Sequence, residues 1–373
     1  MKNILLVGNW PSDTGYAWWL MERFWIAIAR HYKTSERRIF VSFPQVREVN
    51  PDFAAAGIEV VEFTFDLSHP DRIKSLIEQH KIGCVYLTDQ KYLSPTYRAM
   101  RKAGVEIIIV HDHTPGERTT ASGPRRWLKS FMGRIPGLGA DAYIAVSPPV
   151  FERFLNAACL PRHKCFLATN GIDIEKFHES PAVDIRRELG LTMEAKLVVS
   201  VGRASQYKGI QRIIEAASIV REKSTQPVHF IHCGDGPDLG FFNDLIAKRR
   251  LQDRFLMLGK RSDVAGILKS CDIAAHASEG EGLSLAILEF MEAELPVVLP
   301  DSPTVSQSVQ DRVSGLLYRR GSVEDLAAKL LELLESPSLR KSMGSAAQRA
   351  VHEKYDLNGT IRDLIGVFEK LRI

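Results

Sequence analysis

Two glutamates in a glycine-rich segment are the residues best suited to chemistry. Glu281 lies between Gly280 and Gly282, and Glu289 follows further along the same segment. The glycines let the backbone approach a ligand closely, because no Cβ stands in the way. Ser284 is expected to cap a helix over the residues that follow, and the unpaired first amides of a helix form a ready phosphate site. Since a carboxylate would repel a phosphate, the two glutamates are expected to accept hydrogen bonds from hydroxyl groups, such as those of a sugar or a ribose.

Two cations follow another apolar run. The residues at about 196–202 are predicted to form a strand that ends at Gly202, and Arg203 and Lys208 come after it across a turn. Arginine offers a two-pronged donor and lysine a point charge, so that the two together can hold one diphosphate. The order of residues is not that of a P-loop, because G-x4-G-K-[ST] is absent. Solvated surface charge is the alternative interpretation.

A histidine-rich sequence, His111-Asp112-His113, ends a predicted strand at about 106–111. Two imidazoles and a carboxylate suggest a metal site. In an extended segment, however, the two histidines share one face and Asp112 lies on the other, and the sequence shows no third ligand. We therefore predict no metal here, and a buried structural histidine is the alternative to a functional one.

The composition is that of an ordinary globular protein. The 373 residues suggest two domains, with 45% hydrophobic and 25% charged residues. A net charge of +4 suits anionic ligands or a membrane surface but is too weak to indicate nucleic acid. The five cysteines are scattered without a C-x-x-C pair, which is typical of buried thiols in a reducing compartment. With no signal-peptide pattern and no run near the ~20 apolar residues of a membrane span, a cytoplasmic location is expected.

Short apolar runs alternate with helical patterns along the chain, which predicts doubly wound α/β architecture. In the first half, strands are predicted at about 3–8, 38–44, 59–65, 84–88, 106–111 and 142–147. A second series is predicted at about 196–202, 228–233, 254–258, 273–277, 296–299 and 315–318. A last helix is predicted at about 359–371. Ligands of open parallel sheets bind outside the carboxyl ends of the strands, where the candidate residues lie.

The candidate segments resemble a known family. The E-x7-E segment of retaining GT-B glycosyltransferases, of the group 1 or family 4 type, is similar to Glu281-x7-Glu289 followed by Met291-Glu292-Ala293-x3-Pro296-Val297-Val298. The family's G-R-x4-K-G element is similar to Gly202-Arg203-x4-Lys208-Gly209. The likeness is strong over about 170–335 and thin over 1–165, the part that binds acceptors in the family.

The resemblance implies a GT-B fold, with two Rossmann-like doubly wound domains facing a central cleft. The acceptor-side domain would comprise residues 1–168 and a C-terminal helix at about 356–373, and the donor domain residues 169–355.

The resemblance also implies a role for each matching residue. The leaving diphosphate would be held by Arg203, Lys208 and the amides around Gly282, Leu283, Ser284 and Leu285. The sugar would be fixed by Glu281 and by His111, with His113 as the alternative, and the ribose by Glu289. Gly15, Gly202, Gly234 and Arg261 would line the donor and nucleotide site.

The implied reaction moves a sugar from a UDP- or GDP-sugar to a glycan or lipid-linked acceptor with retention of anomeric configuration. No D-x-D element is present to clamp a metal to the diphosphate, so neither a metal nor another cofactor is expected. Two alternatives remain open: a nucleotide-sugar epimerase of the same fold, and an inactive nucleotide-sugar-binding scaffold of a glycan-assembly complex. A dinucleotide oxidoreductase would need the G-x-G-x-x-G fingerprint, which is missing.

The segment 118–138 mixes arginines and lysines with Trp127, Leu128, Phe131 and Met132. This composition suits an amphipathic helix that rests on anionic lipid, and it would place the protein at the inner face of the membrane. The alternative is a helix packed on the first domain with its arginines in solvent.

Overall fold

The computed structural model describes residues 2–14 and 16–373, with Tyr16 and Ala17 described by their backbone only. The predicted site residue Gly15 lies outside the described residues. The chain divides into two compact units, of which unit 1 comprises residues 1–170 and 358–373 and unit 2 comprises Gly171–Leu357. Each boundary lies two residues after the one expected from the sequence. Within the described residues, no helix combines the length and the apolar character needed to cross a bilayer.

Unit 1 is built on a seven-stranded parallel sheet in the order β3-β2-β1-β4-β5-β6-β7. Its strands are β1 (Asn3–Val7), β2 (Ile39–Phe43), β3 (Ile58–Glu62), β4 (Ile82–Thr88), β5 (Ile107–Asp112), β6 (Ala142–Ala145) and β7 (Cys165–Leu167). Its helices are α1 (Tyr16–His31), α2 (Asp52–Ala56), α3 (Pro70–His80), α4 (Pro95–Lys102), α5 (Gly123–Met132) and α6 (Pro148–Asn156). The strand order reverses between β1 and β4, which makes this pair the switch point of the sheet.

Unit 2 is built on a six-stranded parallel sheet in the order β10-β9-β8-β11-β12-β13. Its strands are β8 (Lys196–Val201), β9 (Val228–Cys233), β10 (Phe255–Met257), β11 (Ile273–Ala275), β12 (Val297–Pro300) and β13 (Gly315–Tyr318). Its helices are α7 (Ile174–Glu179), α8 (Ile185–Glu188), α9 (Ile210–Lys223), α10 (Leu239–Lys248), α11 (Val264–Leu268), α12 (Leu285–Glu292), α13 (Val323–Glu335) and α14 (Pro337–Lys354). Here the switch point lies between β8 and β11, which pair through Val198 and Ile273.

Both faces of the unit 2 sheet are covered, which explains why its strands read as continuous apolar runs. Along β8, Val198 belongs to one buried core and its neighbours Leu197 and Val199 to the other. Helix α12 buries Leu288 and Met291 completely in the second core. Burying such a side chain contributes roughly 1.5–3 kcal/mol. The helix that follows the glycine-rich segment is therefore fixed against the sheet.

The last helix, α15 (Leu357–Lys370), belongs to unit 1 from Asn358 onwards. Phe368 stacks on Tyr86 of β4, with ring centroids 5.9 Å apart. The chain leaves unit 2 where it entered: the Ile172 amide donates to the Tyr355 carbonyl at 2.9 Å, and the Leu357 amide donates to the Ile172 carbonyl at 3.0 Å. The two segments by which the chain enters and leaves unit 2 are therefore joined by backbone hydrogen bonds.

Every predicted strand is present, with ends within three residues of the expected positions. Strand β7 is not predicted, because three residues at the edge of a sheet leave no periodic signal. The cysteines are free thiols, four of them buried and Cys271 half-buried, as the composition predicts.

Candidate functional site

The two candidate segments of unit 2 follow the two strands at its switch point. The turn from Gly202 to Gly209 comes after β8, and the loop from His276 to Ser284 comes after β11. Parallel strands that pair side by side deliver the residues at their carboxyl ends to the same edge of the sheet. The residues that the sequence analysis selected from two distant segments are therefore neighbours in space.

Glu281 is the centre of a buried polar cluster. Its carboxylate oxygen Oε1 accepts hydrogen bonds from Lys208 Nζ at 2.7 Å and from His276 Nε2 at 2.9 Å. Burial alone would raise the pKa of Glu281, but the positive charge of Lys208 and the hydrogen bond from His276 outweigh it and lower the pKa to about 2. Glu281 is therefore ionised at neutral pH, and it holds both partners in place.

His276 is a site residue that the sequence analysis missed. It follows β11 directly and is almost completely buried. A signal is present in the sequence, because His276 is a polar residue between Ala275 and Ala277 in a run that otherwise forms the core. A buried histidine needs a hydrogen-bond acceptor, and the first glutamate of the E-x7-E segment, which follows in the sequence, is a candidate for it.

Gly209 explains how the turn carrying Lys208 is held against the loop carrying Glu281. Its backbone has a φ of +71°, and a Cβ placed on it would lie 1.9 Å from the carbonyl oxygen of Ala277. The amide of Glu279 donates to the carbonyl of Tyr207 at 2.9 Å, which joins the same two segments. Only glycine allows both the left-handed conformation and this close approach.

Further polar contacts support the loop after β11. Arg212 donates to the carbonyl of Ala277 at 3.1 Å and forms an ion pair with Glu279. Arg320 donates to the Glu279 carbonyl at 2.9 Å. The hydroxyl of Ser278 donates to the carbonyl of Gly280 at 3.1 Å. These contacts fix the backbone that presents Glu281.

Arg203 differs from the other cations of this region. Its side chain is exposed, and within the described part of the chain its guanidinium has no hydrogen-bond or ion-pair partner. An anion that reaches the turn after β8 can therefore bind Arg203 without breaking an existing contact. This is the property expected of a side chain that binds a diphosphate.

Helix α12 begins at Leu285, as the sequence predicts, but its cap differs from the prediction. Ser284 occupies the N-cap position with extended backbone, and its side chain makes no capping hydrogen bond. The preceding turn is held instead by Gln307, whose side-chain amide donates to the Gly282 carbonyl at 2.8 Å. The Ser284 hydroxyl thus does not cover the positive end of the helix dipole. Glu289 lies further along the same helix and is half-buried.

Gly234 and Gly236 hold the loop after β9 against the turn after β8. Gly234 has a φ of +148°, and a Cβ placed on it would lie 1.8 Å from the Gly202 carbonyl oxygen. His232 Nε2 donates to the same carbonyl at 3.0 Å, which leaves Nδ1 to accept from the Ser200 hydroxyl at 2.8 Å. Burial lowers the pKa of His232 to about 4, so this histidine is neutral and structural.

The guanidinium of Arg261, which was expected near the nucleotide base, binds two carboxylates. It lies 2.5 Å from Glu188 and 2.8 Å from Asp263. Any recognition of a ligand by this side chain would have to compete with both. The ion pairs place Arg261 in a link between α8 and the start of α11.

In unit 1, the two histidines at the end of β5 lie side by side, with ring centroids 4.2 Å apart. His111 is completely buried, hydrogen-bonds through Nδ1 to the Tyr86 hydroxyl and stacks on Phe24. Burial holds its pKa well below the ordinary value. The side chain of His113 is 18% exposed, but both of its ring nitrogens are buried and have no hydrogen-bond partner within the described residues.

Asp112 is not directed toward the histidines. Its carboxylate is buried, pairs with Arg153 at 2.8 Å and accepts from the Thr114 hydroxyl at 2.6 Å. The alternation predicted from the extended segment therefore holds: the imidazoles share one face and the carboxylate occupies the other. Removing one partner of such a buried ion pair typically costs 3–5 kcal/mol, which indicates that Asp112 is structural.

Helix α5 exposes its apolar side chains. Trp127 is 80% exposed, Phe131 67% and Leu128 59%, and none of the residues of this helix is buried. These three side chains do not pack on the first domain, whereas Lys129 of the same helix donates to the Ala157 carbonyl at 2.5 Å and Arg125 and Arg126 are exposed. The helix is also shorter than the segment 118–138 that was singled out.

Comparison with known proteins shows the family to which the chain belongs. The model of the family described as glycosyl transferases group 1 matches residues 183–350. The UDP-Gal:alpha-D-GlcNAc-diphosphoundecaprenol alpha-1,3-galactosyltransferase of Escherichia coli is 30% identical over 285 residues, which cover 68% of this chain and 72% of that protein. The chain belongs to the group 1 glycosyl transferases.

A further curated relative matches over a smaller part of its length, and a solved structure matches over nearly the whole chain. The N-acetyl-alpha-D-glucosaminyl L-malate synthase of Bacillus anthracis is 26% identical over 187 residues, and the chain spans about half of that enzyme's length, 48%. The Anabaena protein HepE, solved in complex with UDP, superposes with a TM-score of 0.74 at 19% identity and covers 99% of this chain and all of that one. This likeness confirms the predicted GT-B fold class of two Rossmann-like domains.

In this group 1 glycosyl transferase, the structure brings together only some of the residues selected from the sequence. Lys208 contacts Glu281, and Gly202 lies against Gly234. His111 lies in unit 1, and Arg261 is paired with carboxylates elsewhere in unit 2.

Proposed function

We propose that this protein transfers a sugar from a UDP- or GDP-sugar to a glycan or lipid-linked acceptor, with retention of anomeric configuration and without a metal. The observation that carries the proposal is the cluster of Lys208, Glu281 and His276 at the switch point of unit 2. Arg203 follows the same strand as Lys208, and its guanidinium has no partner among the described residues. Unit 2 would bind the donor and unit 1 the acceptor.

The charges of the site match those that develop in such a reaction. Breaking the bond between the sugar and the diphosphate leaves positive charge on the sugar ring and negative charge on the leaving group. Arg203, Lys208 and the first amides of α12 would stabilise the leaving diphosphate, and preorganised groups of this kind often supply the largest catalytic effect. The ionised Glu281 would accept a hydrogen bond from a sugar hydroxyl. His111, with His113 as the alternative, would contact the sugar, and Glu289 the ribose.

Retention would follow from attack on the same face as the departing group. The acceptor hydroxyl forms the new bond to the anomeric carbon while the bond to the diphosphate breaks. The leaving phosphate oxygen takes the proton of that hydroxyl. No additional base is needed, which agrees with a site whose carboxylate is already committed to Lys208 and His276.

Helix α5 supports a lipid-linked acceptor. Its exposed Trp127, Leu128 and Phe131 lie beside a basic pocket lined by Arg118, Thr119, Arg125, Lys129, Arg153, Tyr92, Ala157 and Ala158. Apolar side chains beside arginines suit the surface of an anionic membrane, with the cations near phosphate groups. The name of the Escherichia coli relative contains a diphosphoundecaprenol acceptor. We accordingly propose peripheral binding at the inner face of the membrane.

The donor is tested by calorimetric titration of the full chain with UDP, GDP, ADP and TDP, with and without Mg²⁺. We expect one of UDP or GDP to bind preferentially, with an affinity that Mg²⁺ leaves unchanged, because protein cations and helix amides replace a metal at the diphosphate. Binding to none of the four would contradict the proposed donor site. Conversion of a nucleotide sugar in the absence of any acceptor would favour the epimerase.

The membrane contact is tested by co-sedimentation with vesicles of anionic or neutral phospholipid. Replacing Trp127 and Phe131 together with serine should weaken binding to anionic vesicles at least about tenfold, because burial of one large apolar side chain contributes roughly 1.5–3 kcal/mol and 1.4 kcal/mol is a factor of ten. Met193, which is 71% exposed in unit 2, offers the matched control Met193→Ser. Equal, low binding to both kinds of vesicle by the unmodified protein would contradict the membrane contact.

A further inference from the structure

Three side chains of unit 2 converge on one point away from the Glu281 cluster. His178 lies on α7, Glu292 is the last residue of α12, and His352 lies near the end of α14. The Nε2 atoms of His178 and His352 lie 2.7 Å and 3.1 Å from Glu292 Oε1. Helices from three separate stretches of sequence thus bring two imidazoles to one carboxylate.

The spacing of these atoms suits a transition-metal ion. One ligand atom from each residue lies within 4.8 Å of the other two. In a tetrahedral zinc site with bonds of about 2.0–2.2 Å, ligand atoms lie roughly 3.3 Å from one another. The distances from Glu292 Oε1 to the two rings, 2.7 Å and 3.1 Å, are shorter than this value, so the side chains would move apart to admit the ion.

The carboxylate of Glu292 is a second, independent indication that an ion binds here. Its side chain is completely buried, and its Oε2 atom has no hydrogen-bond partner within the described residues. A buried carboxylate oxygen without a partner is costly. The rings of His178 and His352 are about half-exposed, which gives an ion a way in and leaves room for a water molecule as an additional ligand.

We propose that His178, Glu292 and His352 bind a Zn²⁺ ion. Two imidazoles and one carboxylate form a donor set that zinc favours, whereas Mg²⁺ prefers oxygen ligands alone. The site would be structural and separate from sugar transfer, which is proposed to need no metal. The ion would join α7, which follows the entry of the chain into unit 2, to α14, which precedes its exit, and both to the end of α12.

The test is calorimetric titration of metal-free, full-length protein with Zn²⁺ at neutral pH, together with thermal unfolding. We expect one ion per chain and a higher melting temperature, because an ion that binds only the folded state stabilises it by mass action. His178→Ala and His352→Ala should each weaken binding by at least 10–100-fold, the range found even for residues that only support a metal ligand. Both variants should lose the thermal shift, and Mg²⁺ should produce none.

The matched control is His69→Ala, because His69 forms an exposed histidine–carboxylate pair with Asp66 in unit 1. This variant should bind Zn²⁺ like the unmodified protein. Glu292→Gln keeps the volume of the buried side chain but removes its charge, and it should also weaken binding. Absence of zinc binding, or an affinity equal in the His178→Ala, His352→Ala and His69→Ala variants, would overturn the proposal.

Discussion

Replacing Lys208 with alanine is expected to lower kcat for sugar transfer by ~10²–10³-fold, the range observed when one preorganised donor is removed from a site that stabilises developing negative charge. Lys208 lies on the turn after β8 and is 2.7 Å from Glu281. The measurement is turnover at saturating donor. The matched control is Lys223→Ala, which removes an exposed lysine from the helix that follows the same turn.

The same change also affects folding, since it leaves the buried Glu281 with one partner fewer. We expect the Lys208→Ala variant to melt at a lower temperature and the double variant Lys208→Ala/Glu281→Gln to recover part of that loss, because no unpaired buried charge remains. Transfer should not recover in the double variant.

Arg203→Ala should impair transfer with little effect on melting, because Arg203 is exposed and unpartnered within the described residues. Near-normal turnover of Lys208→Ala or Arg203→Ala at saturating donor would refute the diphosphate assignment.

Glu281 and Glu289 are expected to respond differently to substitution. Glu281→Gln should reduce transfer on the order of 10²-fold while the affinity for the bare nucleotide changes little, because a hydrogen bond to a charged group is worth ≈ 1.5–3 kcal/mol and this one involves the sugar. Glu289→Ala should chiefly weaken binding of the nucleotide, because its proposed partner is the ribose. The measurements are turnover and calorimetric affinity for the nucleoside diphosphate.

The control for this pair is Glu215→Ala, which removes a half-buried glutamate of α9 whose carboxylate forms an ion pair with Arg249. It should leave both transfer and nucleotide affinity unchanged. Identical profiles for Glu281→Gln and Glu289→Ala would show that the two carboxylates do not divide the sugar and the ribose between them.

The sequence predicted most of the fold because parallel strands buried on both faces leave continuous apolar runs, such as Leu197–Val199 in β8. It could not predict β7, which is too short to show a pattern. The pairing of Lys208 with Glu281 depends on a close approach of two loops at Gly209, and spacing along the chain does not encode such a contact.

The choice between His111 and His113 illustrates the other limit. Alternation along β5 places both rings on one face, as predicted, but it does not indicate which of the two side chains is completely buried. That depends on Phe24 and Tyr86, which come from other elements and enclose His111. For the same reason, the sequence could indicate that α5 is amphipathic, but it could not indicate that the aromatic side chains of this helix are exposed.

The adjacent entry and exit of unit 2 have a consequence for how such proteins diversify. Because Ile172 is hydrogen-bonded to both Tyr355 and Leu357, unit 2 is in effect an insertion whose two ends meet. Insertions whose ends lie close together are readily tolerated. A whole unit of this kind can be exchanged for that of a relative by recombination at two neighbouring junctions. Under the proposed division of roles, such an exchange would change the sugar that is used and keep the acceptor that is recognised.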